Sequence, residues 1–191
     1  GEDGRVTLAF YNKDKGELAK YYQRIVNEEL QCDISIISIP QRKEVRAKAI
    51  RDLVKEWNVE EKCISDKILF SSEECQRGFL QALFSADGSV QGSDLKKSYS
   101  IRLAQSRLHI LQRVQIMLLN FGIASKLFTN RRAEGTKQLI PDGKGGYKEY
   151  KIHAQHELQI TKANMVQFQK EIGFLLKYKN ETLKNILQSM N

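Results

Sequence analysis

The chain has 191 residues, 41% of them hydrophobic, and its 31 lysines and arginines outnumber 23 aspartates and glutamates for a formal charge of +8. That length and composition suit one sizeable core or two smaller ones, and the longest apolar stretches, such as Ile116–Leu119, are far short of the roughly 20 residues that span a bilayer, so no membrane segment is expected. Three cysteines without CxxC spacing and the absence of a signal-peptide pattern point to a reducing cytoplasm, while the basic excess favours a polyanionic partner.

Taken in chain order, Arg5–Tyr11 alternates as a strand, and Glu17–Leu30 has helical apolar spacing through Leu18, Tyr21, Tyr22, Ile25 and Val26. Ile34–Ile39 and Glu44–Lys48 read as strands and Ala49–Val59 as a short helix. A third helix begins at Glu73, carries Phe79, Leu80, Leu83 and Phe84, and ends in Ser85-Ala86-Asp87-Gly88. The remainder predicts a strand over Tyr99–Leu103, a helix over Arg107–Phe121, strands near Ser125–Thr129 and Glu149–Thr161, and helices over Asn164–Ile172 and Asn180–Met190. Strands interleaved with helices in this way imply an α+β fold rather than a wound parallel sheet.

The chain also repeats itself. Glu2-Asp3-Gly4-Arg5-Val6 matches Ala86-Asp87-Gly88-Ser89-Val90, Gln23-Arg24-Ile25 with Leu30 matches Gln112-Arg113-Val114 with Leu119, and Lys55-Glu56 with Lys62 matches Lys170-Glu171 with Lys177. The three anchors are collinear, which predicts two related halves, residues 1–72 and 73–191. A jump in spacing between the second and third anchors places an insertion at about 130–150, where Gly135, Pro141, Gly143, Gly145 and Gly146 mark turns and a long hairpin.

Leu80-Gln81-Ala82-Leu83-Phe84-Ser85-Ala86-Asp87-Gly88 resembles the LAGLIDADG nonapeptide of homing endonucleases, with alanine where that family places glycine. The likeness extends over nearly the whole chain and narrows to intein endonucleases similar to those inserted in ribonucleotide reductases, through segments such as Pro141–Tyr150 and Glu171-Ile172-Gly173-Phe174. It implies a pseudo-two-fold fold of two αββαββα-like subdomains whose antiparallel sheets form a DNA-binding saddle, in a monomer that cuts double-stranded DNA site-specifically. The alternative is a non-catalytic DNA- or RNA-binding, maturase-like module on the same scaffold. There are two departures from the family pattern. The helix that should precede Asp3 is absent from the sequence, and no splicing nucleophile opens the chain nor does His-Asn close it.

The resemblance implies that Asp3 and Asp87 bind Mg²⁺, with Mn²⁺ a possible substitute, and that the carbonyls of Glu2 and Ala86 are further ligands. Lys62 and Lys177 resemble the family's active-site lysines. Alternation along the predicted strands and hairpin tips nominates Arg5, Thr7, Arg42, Arg46, Lys48, Arg102, Lys126, Arg131, Arg132, Lys148 and Lys151 for DNA contact. Other patterns carry little. Gly143-Lys144-Gly145-Gly146 lacks the spacing of a phosphate loop, and His109, His153 and His156 form neither a zinc site nor a nuclease core.

Overall fold

A computed structural model describes residues 6–11, 15–57, 63–92, 99–135, 137–141, 146–151 and 153–190. The chain divides into two compact units, Gly1–Phe70 and Ser71–Asn191. Each is an antiparallel sheet with helices packed on one face.

In the first unit, β1 (Val6–Tyr11), α1 (Lys15–Glu29), β2 (Ile37–Ile39), β3 (Arg42–Ala47) and α2 (Lys48–Glu56) build a sheet of order β1-β3-β2. Val6, Leu8 and Phe10 alternate inward with Val45 and Ala47 and close on Val26 and Ile50 from the helices. The predicted strand from Ile34 shortens to Ile37–Ile39, because side chains of α1 take the place of a strand partner at its start. Gln23 Nε2 and Asn27 Nδ2 donate to the Ile34 carbonyl at 2.8 and 3.1 Å, and Ile34 N donates to Asn27 Oδ1 at 3.0 Å. A short helix absent from the sequence reading, α3 (Asp66–Leu69), is capped by Ser65, whose hydroxyl accepts from Ile68 N. Lys48, expected on a strand, is the first residue of α2.

The second unit runs α4 (Glu73–Asp87), β4 (Gly88–Gln91), β5 (Ser100–Gln105), α5 (Leu108–Asn120), β6 (Lys126–Arg132), β7 (Lys137–Pro141), β8 (Tyr147–Lys151), β9 (Gln155–Thr161), α6 (Ala163–Glu171) and α7 (Lys177–Ser189). Setting aside β7 and β8, its order is αββαββα followed by the further helix α7, and the sheet order is β4-β5-β9-β6. Ser72 caps α4, with Glu73 and Glu74 placed favourably at the positive end of its dipole. The helix buries Leu80 and Phe84 completely, and the Phe84 ring meets Phe168 of α6 at 4.9 Å between centroids. Arg77 ties α4 to the end of α6, donating to the Glu171 carboxylate at 3.0 Å and holding that carboxyl below its ordinary range. The strand predicted over Glu149–Thr161 is two strands, interrupted before Gln155; β7 and β8 pair only with each other, as the hairpin expected at 130–150.

Matching strand for strand revises the repeat. β1 pairs with β3 and leads into α1, as β5 pairs with β9 and leads into α5, so β1 holds the place of β5 and not of β4. Asp3-Gly4, three residues before Val6, therefore precedes a different strand of its unit from the one Asp87-Gly88 precedes, and α4 and β4 have no counterpart among the described residues of the first unit. The helix anchor is also shifted. Gln23 supports the Ile34 carbonyl, whereas the glutamine supporting Ser125 in the second unit is Gln115 and not Gln112. A slip of three residues is nearly one helical turn and leaves the apolar face aligned, which is why the sequence tolerated the wrong register. The Lys-Glu part of the third anchor agrees, with Lys55-Glu56 and Lys170-Glu171 each ending a helix, while its Lys62 lies outside the described residues.

Candidate nucleic-acid interface and carboxylate site

Asp87 is the last residue of α4 and is exposed. Gly88 follows with φ −76°, so its lack of a side chain serves packing and not a left-handed turn: a Cβ there would lie 2.5 Å from the Phe84 carbonyl oxygen and 2.9 Å from its ring. Only glycine lets the chain leave the helix this tightly and enter β4 at once. The β4–β5 register sets Gly88 against Leu103 and so brings the end of β5 beside the motif, where Gln105 Nε2 donates to Asp87 Oδ2 at 2.9 Å.

Beneath this turn is a lysine that sequence reasoning missed. Lys179 on α7 is only 8% exposed, and its ammonium donates to the carbonyls of Ser85 at 2.6 Å, Gly88 at 2.7 Å and Phe84 at 3.4 Å. It grips the residues on either side of Ala86-Asp87. A buried ammonium is tolerated here because three carbonyls and the negative end of the helix dipole replace its hydration. Ser85 adds a second fastening, its hydroxyl donating to Gln81 O at 2.6 Å and accepting from Leu175 N at 2.7 Å. Lys177, nominated from the repeat, is the exposed first residue of α7; two positions apart on a helix point some 200° apart, so Lys179 is the lysine that α7 brings to the motif. Glu2, Asp3, Arg5 and Lys62 lie outside the described residues.

Exposed at a helix end, the Asp87 carboxylate with the Ala86 carbonyl is hard oxygen chemistry of the kind Mg²⁺ prefers. No group of three or more His, Cys, Asp or Glu side chains converges among the described residues, so these two are a partial ligand set.

The sheet faces turned away from the helices carry four of the nominated cations, Arg42, Arg46, Arg102 and Lys126. In the first unit Thr7, Arg42 and Arg46 share that face. In the second, Arg102 pairs with Gln159 and Lys126 lies beside it, while Phe128 is flanked by Lys126 Nζ at 4.9 Å and the Arg131 guanidinium at 5.4 Å. The β6–β9 pairing slips between Phe128 and Arg132, with Asn130 at φ 51° and its N–H donated to His156 Nδ1 at 3.2 Å; this bulge re-aims Arg131 and Arg132. Lys148 and Lys151 are exposed on β8 but at opposite parity, on opposite faces of the ribbon.

This combination of an αββαββα unit, a motif helix ending in Asp-Gly and a basic outer sheet face defines a class. A family model for the LAGLIDADG-like domain matches residues 74–173, more than half of the chain. The chain belongs to that family. It is 33% identical over 116 residues to the ribonucleoside-diphosphate reductase NrdEB subunit alpha of Bacillus subtilis (strain 168), covering 59% of this chain and 10% of that protein, and 32% identical over 95 residues to the ribonucleoside-diphosphate reductase large subunit of Invertebrate iridescent virus 6. The chain thus spans about a tenth of the length of these relatives. The fold is that of the homing endonuclease I-DmoI. A structure of an I-DmoI variant with its target DNA in the presence of Mg aligns with TM-score 0.54 at 18% identity, covering 88% of this chain and 79% of that one; I-DmoI with DNA and Ca aligns with TM-score 0.53 at 19% identity, covering 88% and 74%.

Proposed function

We propose that this chain is the endonuclease part of an intein and makes a site-specific double-strand break in DNA by metal-dependent phosphodiester hydrolysis. The observation that carries the reading is Asp87, fixed at the end of the motif helix from three sides in a unit whose outer sheet face is basic. Similarity to ribonucleotide reductases confined to about a tenth of their length fits an element inserted in such a host gene. A divalent ion there would supply positive charge to the phosphorane and lower the pKa of the attacking water. The chain's own share is to hold that charge in place: Asp87 and the Ala86 carbonyl offer oxygens, Gln105 orients the carboxylate, and Lys179 and Ser85 fix the backbone between them. The arginines of the sheet faces bind and read the duplex.

The test is cleavage of a plasmid carrying the uninterrupted host gene in Mg²⁺, with Mn²⁺ as substitute. Asp87→Asn should lower cleavage at least about a hundredfold while leaving binding intact, since an amide of the same shape cannot supply the charge a metal needs. Asp3→Asn separates the two alignments of the halves. The sequence repeat makes Asp3 equal to Asp87, whereas the strand order expects Asp3→Asn to stay within about fivefold of wild type. Wild-type cutting by Asp87→Asn would take Asp87 out of the catalytic site, and a wild-type chain that binds the duplex without cutting it would leave a binding module in place of an enzyme.

A further inference from the structure

Each sheet holds a carboxylate in the middle of its outer, basic face. Glu44 on β3 is 1% exposed, pairs with Ala9 across β1, and is bonded by both Arg42 and Arg46, the residues two before and two after it on the same face. Arg46 Nε reaches its Oε2 at 2.9 Å, and the two guanidiniums hold the carboxyl below its ordinary range. Glu157 on β9 pairs with Ala104 across β5. Arg102 and Arg131 approach its Oε1 at 3.8 and 4.0 Å, and the Gln159 amide donates to the same oxygen. The inward neighbours match as well, Val45 against Leu8 in one unit and Leu158 against Leu103 in the other. The carboxylate and the small residue opposite it therefore recur at one sheet position in both units, each beside two arginines, which come from its own strand in the first unit and from the neighbouring strands β5 and β6 in the second.

A negative charge on a surface that binds phosphate weakens that binding, so its recurrence calls for a compensating role. Guanidinium geometry supplies one. Arg46 spends Nε and one Nη2 hydrogen on Glu44, which leaves the end-on edge of the fork for a base, and Arg102 is braced further by donating Nε to Ser100 Oγ at 2.8 Å. We infer that Glu44 and Glu157 are twin positioning residues for DNA reading, Glu44 through its hydrogen bonds to Arg42 and Arg46 and Glu157 through the charge it sets beside Arg102 and Arg131, each exchanging some phosphate affinity for sequence discrimination. The inference rests on the DNA-cleaving reading above.

The experiment compares Glu44→Gln, Glu157→Gln and the double variant on two probes in Mg²⁺-free buffer: a duplex selected by the wild-type chain from a randomised pool, and a scrambled duplex of equal length. Each substitution should tighten the scrambled duplex several-fold and lower the ratio of selected to scrambled affinity by about tenfold, the discrimination ordinarily tied to one well-placed arginine. A second variant, Arg46→Lys, keeps the charge but not the fork, and should lower the ratio with scrambled affinity unchanged. Equal tightening of both probes by the glutamine variants, or a wild-type ratio in Arg46→Lys, overturns the inference. A wild-type chain that selects no duplex at all overturns the DNA reading itself, and the inference with it.

Discussion

Removing the Lys179 ammonium would leave the Ser85 and Gly88 carbonyls buried without their donor, at a cost of about 1–3 kcal/mol. Lys179→Met should therefore lower the urea midpoint, and cleavage should fall further than stability does, because the same contacts flank Asp87. A variant that unfolds earlier yet cuts at the wild-type rate under native conditions would reduce Lys179 to a core fastening. Gly88→Ala probes the neighbouring constraint from the opposite side. With a Cβ 2.5 Å from the Phe84 carbonyl, helix and strand must part, costing about 2–3 kcal/mol, and denaturant unfolding of this one variant checks it. An unchanged midpoint would mean that the turn relaxes freely.

The β7–β8 hairpin is the element most separable from its unit. Its strands pair only with each other, every residue of β8 is exposed, and Leu139 and Tyr147 are 66% and 72% exposed, so little apolar burial depends on it. Replacing residues 137–151 with a tight turn should shift the melting temperature by no more than about 3 °C. Site recognition should weaken or relax, since Lys148 and Lys151 leave with the ribbon. A fall of about 10 °C or more in calorimetry would make the hairpin part of the core.

For the molecule as a whole, an extended interface with about eight phosphates predicts a slope of about −7 in log affinity against log salt. A slope shallower than about −2 would point to a local contact. The net charge of +8 permits such an interface, but its placement matters more. Arg42, Arg46, Arg102 and Lys126 gather on outer sheet faces, with Glu44 and Glu157 moderating them.

The sequence by itself determined the class of fold, the motif helix with Asp87 at its end, and the inserted hairpin, because apolar periodicity and turn residues are local signals that tertiary packing reinforced. It also placed Arg42 and Arg46 on one face by alternation alone. Only the tertiary structure decided what depends on pairing between distant strands. The β1–β3 and β5–β9 registers set β1 in the place of β5, the β4–β5 register brought Gln105 to the Asp87 carboxylate, and the packing of α7 put the Lys179 ammonium against the motif turn. An Asp-Gly pair looks the same in sequence before either strand of a hairpin. Which strand follows it is fixed by backbone hydrogen bonds to residues some 30 to 60 positions away, and those bonds leave no mark on the nearby side chains.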